Sequence, residues 1–284
     1  MNEQAAALQD YIEQKNLSRL IEARHREGEQ QGIIMTITSG KGGVGKSTLV
    51  LNLGLAAPER TLIVDGDFLL GDLSTLANEQ STVSWKEIFI GRRTWREAVY
   101  PIARTTDILA PQPFDSEKFV GLHASATVLS RLIREWKREY ALILIDTASG
   151  LGLRVIEWSL VADHIVMVST PDPTSCLNTY AIAKSFTLSG ENPNLGMIIN
   201  QYLRDENPWT IYKQLELMIQ KMLNQSLDYW GAIPWVDDIA HSTRQQTPFL
   251  LQEAGRQWLS IFREIVATVK DDTQHITNSF HMIG

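Results

Sequence analysis

The residues Gly40-Lys41-Gly42-Gly43-Val44-Gly45-Lys46-Ser47 stand between two apolar segments of different character. The segment before them, Ile33-Ile34-Met35-Thr36-Ile37-Thr38, reads as a buried strand. The segment after them, Thr48-Leu49-Val50-Leu51-Asn52-Leu53-Gly54-Leu55-Ala56-Ala57, has helical spacing. Strand, glycine-rich turn and helix form the context in which G-x-x-x-x-G-K-[ST] cradles a polyphosphate. Glycines let backbone N–H groups turn inward, and the helix N-terminus adds partial positive charge. Gly40, Gly42, Gly43, Val44, Gly45 and Thr48 are therefore expected around a nucleotide. Lys46 would reach the outer phosphates, and the Ser47 hydroxyl would be a magnesium ligand. Lys41 places a second cation where the general pattern accepts almost any residue.

Two more apolar strands end in carboxylates. Thr61-Leu62-Ile63-Val64 leads into Asp65-Gly66-Asp67, which puts two aspartates at the carboxyl end of a strand. Ligands bind at that end in open α/β sheets. Phosphoryl transfer to water needs one group to orient the water and others to hold magnesium. Asp67 is the candidate for the first task, and Asp65 for the second. Ala141-Leu142-Ile143-Leu144-Ile145-Asp146 resembles a Walker B strand, with Asp146 holding a magnesium-bound water. The small-residue loop Thr147-Ala148-Ser149-Gly150-Leu151-Gly152 behind it is suited to move with the γ-phosphate.

The remainder alternates strand and helix. Strands are expected at Asp107–Pro111, a short one stopped by its proline, and at His164–Ser169, Gly196–Asn200 and Tyr229–Pro234. Helices are expected at Ser116–Glu139, from Pro173, at Trp209–Leu223, Ile239–Arg244 and Phe249–Lys270, with two short ones within 81–104. This predicts an α/β fold, a mostly parallel, doubly wound sheet with helices on both faces. Asn200, at a strand end, carries the paired donor and acceptor that can read an adenine edge. Pro234 and Trp235 are candidates for the adenine wall. Residues 1–30 read as an extra helical arm, 31–270 as the nucleotide domain and 271–284 as a tail.

The 284 residues carry 26 Lys and Arg against 33 Asp and Glu, a net charge of −7 that disfavours a broad DNA-binding face. A single cysteine, Cys176, excludes a disulfide framework and fits a reducing cytoplasm. The polar, acidic start Met1-Asn2-Glu3-Gln4 is unlike a secretory signal, and no apolar run approaches the roughly 20 residues of a membrane span.

Gly40-Lys41-Gly42-Gly43-Val44-Gly45-Lys46-Ser47 resembles the deviant P-loop of the MinD/ParA family of ATPases. Asp65-Gly66-Asp67, Asp146-Thr147-Ala148, Asn200 and Gly231-Ala232-Ile233-Pro234 extend the resemblance over residues 32 to about 270. Within the family the chain looks like the FlhG branch (FleN, YlxH), which sets the number and placement of bacterial flagella. Glu3-Gln4-Ala5-Ala6-Ala7-Leu8-Gln9 is similar to that branch's D-Q-A-x-x-L-R signature, with Glu3 for the aspartate and Gln9 for the arginine. The resemblance implies a slow magnesium-dependent ATPase that binds ATP and ADP and dimerises on ATP, with Lys41 crossing to the partner's nucleotide. It implies as partners a GTPase of the FlhF type or a flagellar transcription regulator. It places the chain in the cytoplasm, at the inner face of the membrane or the cell pole. After Asp67 the chain departs from the family with Leu69 and Asp72, and its tail lacks the Lys and Arg that an anionic membrane surface attracts. The rival readings are a division or partition ATPase, and a nucleotide-bound scaffold that hydrolyses little.

Overall fold

The computed structural model describes residues 32–113, 122–188 and 194–281. The expected arm over 1–30 and the first residues of the helix expected from Ser116 lie outside them. Eight strands form one sheet: β1 (Ile33–Thr38), β2 (Thr61–Asp65), β3 (Val99–Pro101), β4 (Thr106–Leu109), β5 (Leu142–Asp146), β6 (His164–Ser169), β7 (Asn194–Tyr202) and β8 (Asp228–Pro234). Their order is β3-β4-β2-β5-β1-β6-β7-β8, and only β3 runs antiparallel to its neighbour.

The central strands are apolar on both sides because both sides are covered. In β1, Ile34 joins one core, while Met35 and Ile37 join the other. In β5, Ile143 and Ile145 face the first core, and Leu142 and Leu144 the second. This period of two, with no polar alternation, is what a doubly covered parallel sheet requires. The second core is closed by α1 (Lys46–Ala56) and a long C-terminal helix. The first is rich in aromatic rings and lies under α4 (Leu122–Glu139), α5 (Leu153–Leu160), α6 (Pro173–Leu188) and α7 (Pro208–Leu223). The short helices α2 (Leu73–Leu76) and α3 (Trp85–Phe89) follow β2, and α8 (Asp237–Arg244) follows β8.

One expected helix is broken. Phe249–Lys270 becomes two 3-10 turns, Phe249–Leu251 and Glu253–Trp258, before α9 (Leu259–His281). Phe249 is fully buried, and a Cβ on Gly255 would come within 2.1 Å of the Phe249 carbonyl oxygen. The chain folds back on itself there, which a continuous helix cannot do. Helix α9 then runs past residue 270, where the tail was expected to begin. Among the described residues, no helix is long and apolar enough to cross a membrane.

Candidate nucleotide site

The glycine-rich turn joins β1 to α1 at the carboxyl end of the sheet. Gly45, the residue before α1, has φ of 82°, a left-handed conformation that favours glycine. It is also crowded, since a Cβ there would meet Asn200 Nδ2 at 2.6 Å. Gly40 is excluded from carrying a side chain by α6, because its Cβ would lie 2.4 Å from that of Asn178. Nothing stands within 4 Å of the corresponding points on Gly42 and Gly43, so the turn is open on that side.

Lys46 and Asp146 form the buried centre of the site. The Lys46 Nζ donates to Asp146 Oδ1 at 2.5 Å. Ser47 also hydrogen-bonds the Asp146 carboxylate. Burial pushes the Asp146 carboxyl above the usual aspartate range, while Lys46 and Ser47 draw it back. A cleft of about 230 Å³ opens over these groups, and Asp67, Asp72 and Thr147 line it with them. The Ser47 hydroxyl and the Asp146 carboxylate supply adjacent hard oxygen donors, which suit Mg²⁺.

The two aspartates after β2 have different placements. Asp67 lines the cleft, and its Oδ1 accepts the Leu69 and Leu70 N–H groups at 3.1 Å each. Its Oδ2 lies outside both bonds. Asp65, expected at the metal, instead accepts the N–H groups of Asp67 at 3.1 Å and Leu73 at 3.3 Å. It is absent from the cleft lining. Burial, and then the charge of Asp146 beside it in the sheet, push its carboxyl well above the usual range. Asp65 therefore braces the loop that carries Asp67.

Lys41 stands at the mouth of the turn, 47% exposed, with Nζ 3.5 Å from Asp172 Oδ1 of its own chain. Asp172 was not anticipated, although an aspartate before Pro173 at a helix start is a capping signal. Its Oδ1 also accepts the Ser175 N–H at 2.9 Å.

A second cleft, of about 100 Å³, lies beside the first and shares Gly45, Thr48 and Thr243 with it. Asn200, Pro234 and Trp235 all line it, with Ile239 and Ala240 of α8. Asn200 is partly committed elsewhere, because its Nδ2 donates to the Val44 carbonyl at 2.8 Å. Its Oδ1 and second N–H remain for a ligand. Gln201 was missed; the register shift between Asn200 and Tyr202, with φ of 60° at Gln201, turns it into the same cleft. Thr48 and Thr243, whose hydroxyls lie 3.5 Å apart, join the two halves.

A charged cradle at a helix N-terminus, joined to an apolar slot at the ends of parallel strands, defines a P-loop nucleotide-binding protein. The chain belongs to the CobQ/CobB/MinD/ParA nucleotide-binding domain family, whose pattern matches residues 35–249. It is 22% identical to the antiactivator FleN of Pseudomonas aeruginosa over 219 residues, 75% of this chain and 77% of that one. It is 26% identical to the flagellum site-determining protein YlxH of Helicobacter pylori over 241 residues, 82% of this chain and 78% of that one. The septum site-determining protein MinD of Pyrococcus horikoshii, solved with Mg-ADP, superposes with a TM-score of 0.66 at 25% identity, covering 84% of this chain and 96% of that one. The cradle described above is that family's nucleotide-binding site.

Proposed function

We propose that this chain is a slow ATP-hydrolysing switch that pairs two copies of itself across ATP and regulates the number or placement of flagella. The observation that carries the pairing is Lys41, a half-exposed cation at the mouth of the cradle whose ion pair is with Asp172, itself 40% exposed. Such a surface pair is worth about 0–1 kcal/mol, so Lys41 can leave Asp172 for a partner's phosphates at little cost. The flagellar role is supported by the likeness to FleN and YlxH and by the Glu3–Gln9 segment.

Placement supports the following roles. Lys46, freed from Asp146, balances phosphate charge; Ser47 and Asp146 would hold Mg²⁺, which would supply positive charge beside the phosphate oxygens. Asp67 orients the attacking water with the oxygen that is not tied to Leu69 and Leu70. Asn200 and the Pro234–Trp235 wall hold the base. A GTPase of the FlhF type or a flagellar transcription regulator is the expected partner of the ATP-bound pair, in the cytoplasm or at the inner membrane face. A division role is the second reading, favoured by the MinD relatives.

Size-exclusion chromatography with light scattering, in ADP and in ATP, tests the pairing on wild type and Asp67→Ala. The expected result is a monomer in ADP and a dimer in ATP, more persistent in Asp67→Ala. ATP binding without a change of mass would remove the pairing. Hydrolysis by Asp67→Ala at the wild-type rate would remove the role of Asp67.

A further inference from the structure

The loop that carries Asp67 is pinned on both sides by buried aromatic side chains. Before it, Trp85 Nε1 donates to the Asp65 carbonyl at 3.1 Å, and Trp158 Nε1 donates to the Gly66 carbonyl at 3.0 Å. Both indoles are buried. After it, the Phe68 ring meets Trp85, Phe89 and Trp158 edge-on, at centroid distances of 4.8, 5.4 and 5.6 Å. Beyond Phe68 the constraint ends, and Leu69 and Leu70 are 50% and 81% exposed.

Trp158 also belongs to the other side of the phosphate cleft. It sits on α5, which begins directly after the loop containing Thr147, Ala148 and Ser149, all of which line that cleft. Its carbonyl accepts the Thr36 hydroxyl of β1 at 2.8 Å, so α5 is held to a central strand while the indole reaches the loop after β2. The approach leaves no slack. A Cβ on Gly66 would meet Trp158 Nε1 at 2.7 Å and the Asp146 carbonyl oxygen at 2.8 Å. The Gly66 N–H donates to that same Asp146 oxygen at 2.7 Å, completing a link from the Walker B strand through Gly66 to Trp158.

Filling a core does not require these bonds. Trp136 is as deeply buried as Trp158 and stacks on it at 6.4 Å, yet among the described residues its Nε1 has no hydrogen-bond partner. From this contrast we infer that Trp158, seconded by Trp85, is a positioning residue for hydrolysis. It fixes the Asp65–Phe68 backbone so that Asp67 points into the cleft, and it couples that loop to the 147–152 loop on the cleft's other side. The inference rests on the reading of Asp67 as the water-orienting group.

The test compares Trp158→Phe, Trp85→Phe, Gly66→Ala and Trp136→Phe in steady-state ATP hydrolysis, and in tryptophan fluorescence with Mg-ATP and Mg-ADP. Trp158→Phe keeps an aromatic ring beside Phe68 and removes the donor. It is expected to lower kcat about tenfold, with KM for ATP within about twofold, because the loss falls on alignment rather than on phosphate binding. Trp85→Phe and Gly66→Ala are expected to follow it. Trp136→Phe is expected to keep the wild-type kcat and the ATP-against-ADP fluorescence difference, which Trp158→Phe should lose. Equal kcat and equal fluorescence differences in Trp158→Phe and Trp136→Phe would overturn the inference. Asp67→Ala, run alongside, separates the two claims. If it hydrolyses ATP normally, the water-orienting role fails; a tenfold loss of kcat in Trp158→Phe beside it would then show that the indole positions the loop for another group, and a normal kcat in both would remove both claims.

Discussion

The two clefts that meet at Gly45, Thr48 and Thr243 are built in opposite ways. The phosphate cleft takes its cradle from one unbroken turn and its carboxylates from two neighbouring strand ends, and its energetics are those of buried charge. The cleft proposed for the base is gathered from β7, β8 and α8 around the start of α1, and most of its wall is apolar. One half is set by local backbone and electrostatics, and the other by how distant elements pack. Substitutions should therefore affect the first steeply and the second gradually.

The steepest loss is expected at Lys46. Lys46→Ala should lower kcat/KM for ATP at least 100-fold, measured by steady-state hydrolysis, because among the described residues no other cation lines the phosphate cleft. Breaking a buried ion pair ordinarily costs about 3–5 kcal/mol of stability. Here the loss should be smaller, because burial already favours the protonated Asp146, which can become neutral once Lys46 is gone. A melting curve on the same variant checks this second part.

The base cleft can be tested separately by filling it. Ala240→Phe places a ring in a cleft of about 100 Å³ and is expected to weaken ATP binding about 30- to 100-fold by calorimetry. Inorganic triphosphate, which needs only the cradle, should bind within about threefold of wild type. Equal losses for both ligands would show that the halves do not act separately.

Asp65 sharpens the electrostatic side. Its carboxyl lies well above the usual value of 3.8, so the folded state holds a proton that the unfolded chain has released. Stability from this group is present below the unfolded value and lost as pH rises toward the folded one. Asp65→Asn does not titrate, so its melting temperature relative to wild type should climb as pH rises from 4 toward neutrality. The slope is bounded at about 1.4 kcal/mol per pH unit. That is roughly 2–3 °C per pH unit for a chain of this size. A flat difference would mean that Asp65 is ionised in the fold.

How much the sequence disclosed follows the same division. The cradle from Gly40 to Ser47 was legible because its function is a property of one turn, and Asp146 because it ends an apolar strand. The strand-end position of Asp65 did not reveal that its carboxylate points back to Leu73, since that depends on the path of the next eight residues. Pro234 and Trp235 were legible as the end of a strand, whereas Asn200, expected to end its strand, lies within β7, which continues to Tyr202. Gln201, Ala240 and Thr243 were not legible, because a bulge and the docking of α8 bring them in. β3 is only Val99, Tyr100 and an exposed Pro101, too short to carry a strand pattern. Helix α5 was hidden behind Gly150 and Gly152, which read as loop, and with it the part played by Trp158.

Trp235 is where the comparison has its weakest expected effect. Its ring lines the base cleft but is 50% exposed, and its Nε1 is held by Asp237 Oδ1 at 2.9 Å. A half-exposed ring removes little extra apolar area from water when a base arrives, so Trp235→Ala should weaken ATP binding only about two- to fivefold. Trp235→Phe keeps the wall without the bond to Asp237 and should stay within about twofold. A loss beyond about 30-fold for Trp235→Ala, with Trp235→Phe unaffected, would mean that the ring closes over the base as a stacking lid. The base half would then contribute through a single aromatic contact rather than through the summed fit of β7, β8 and α8.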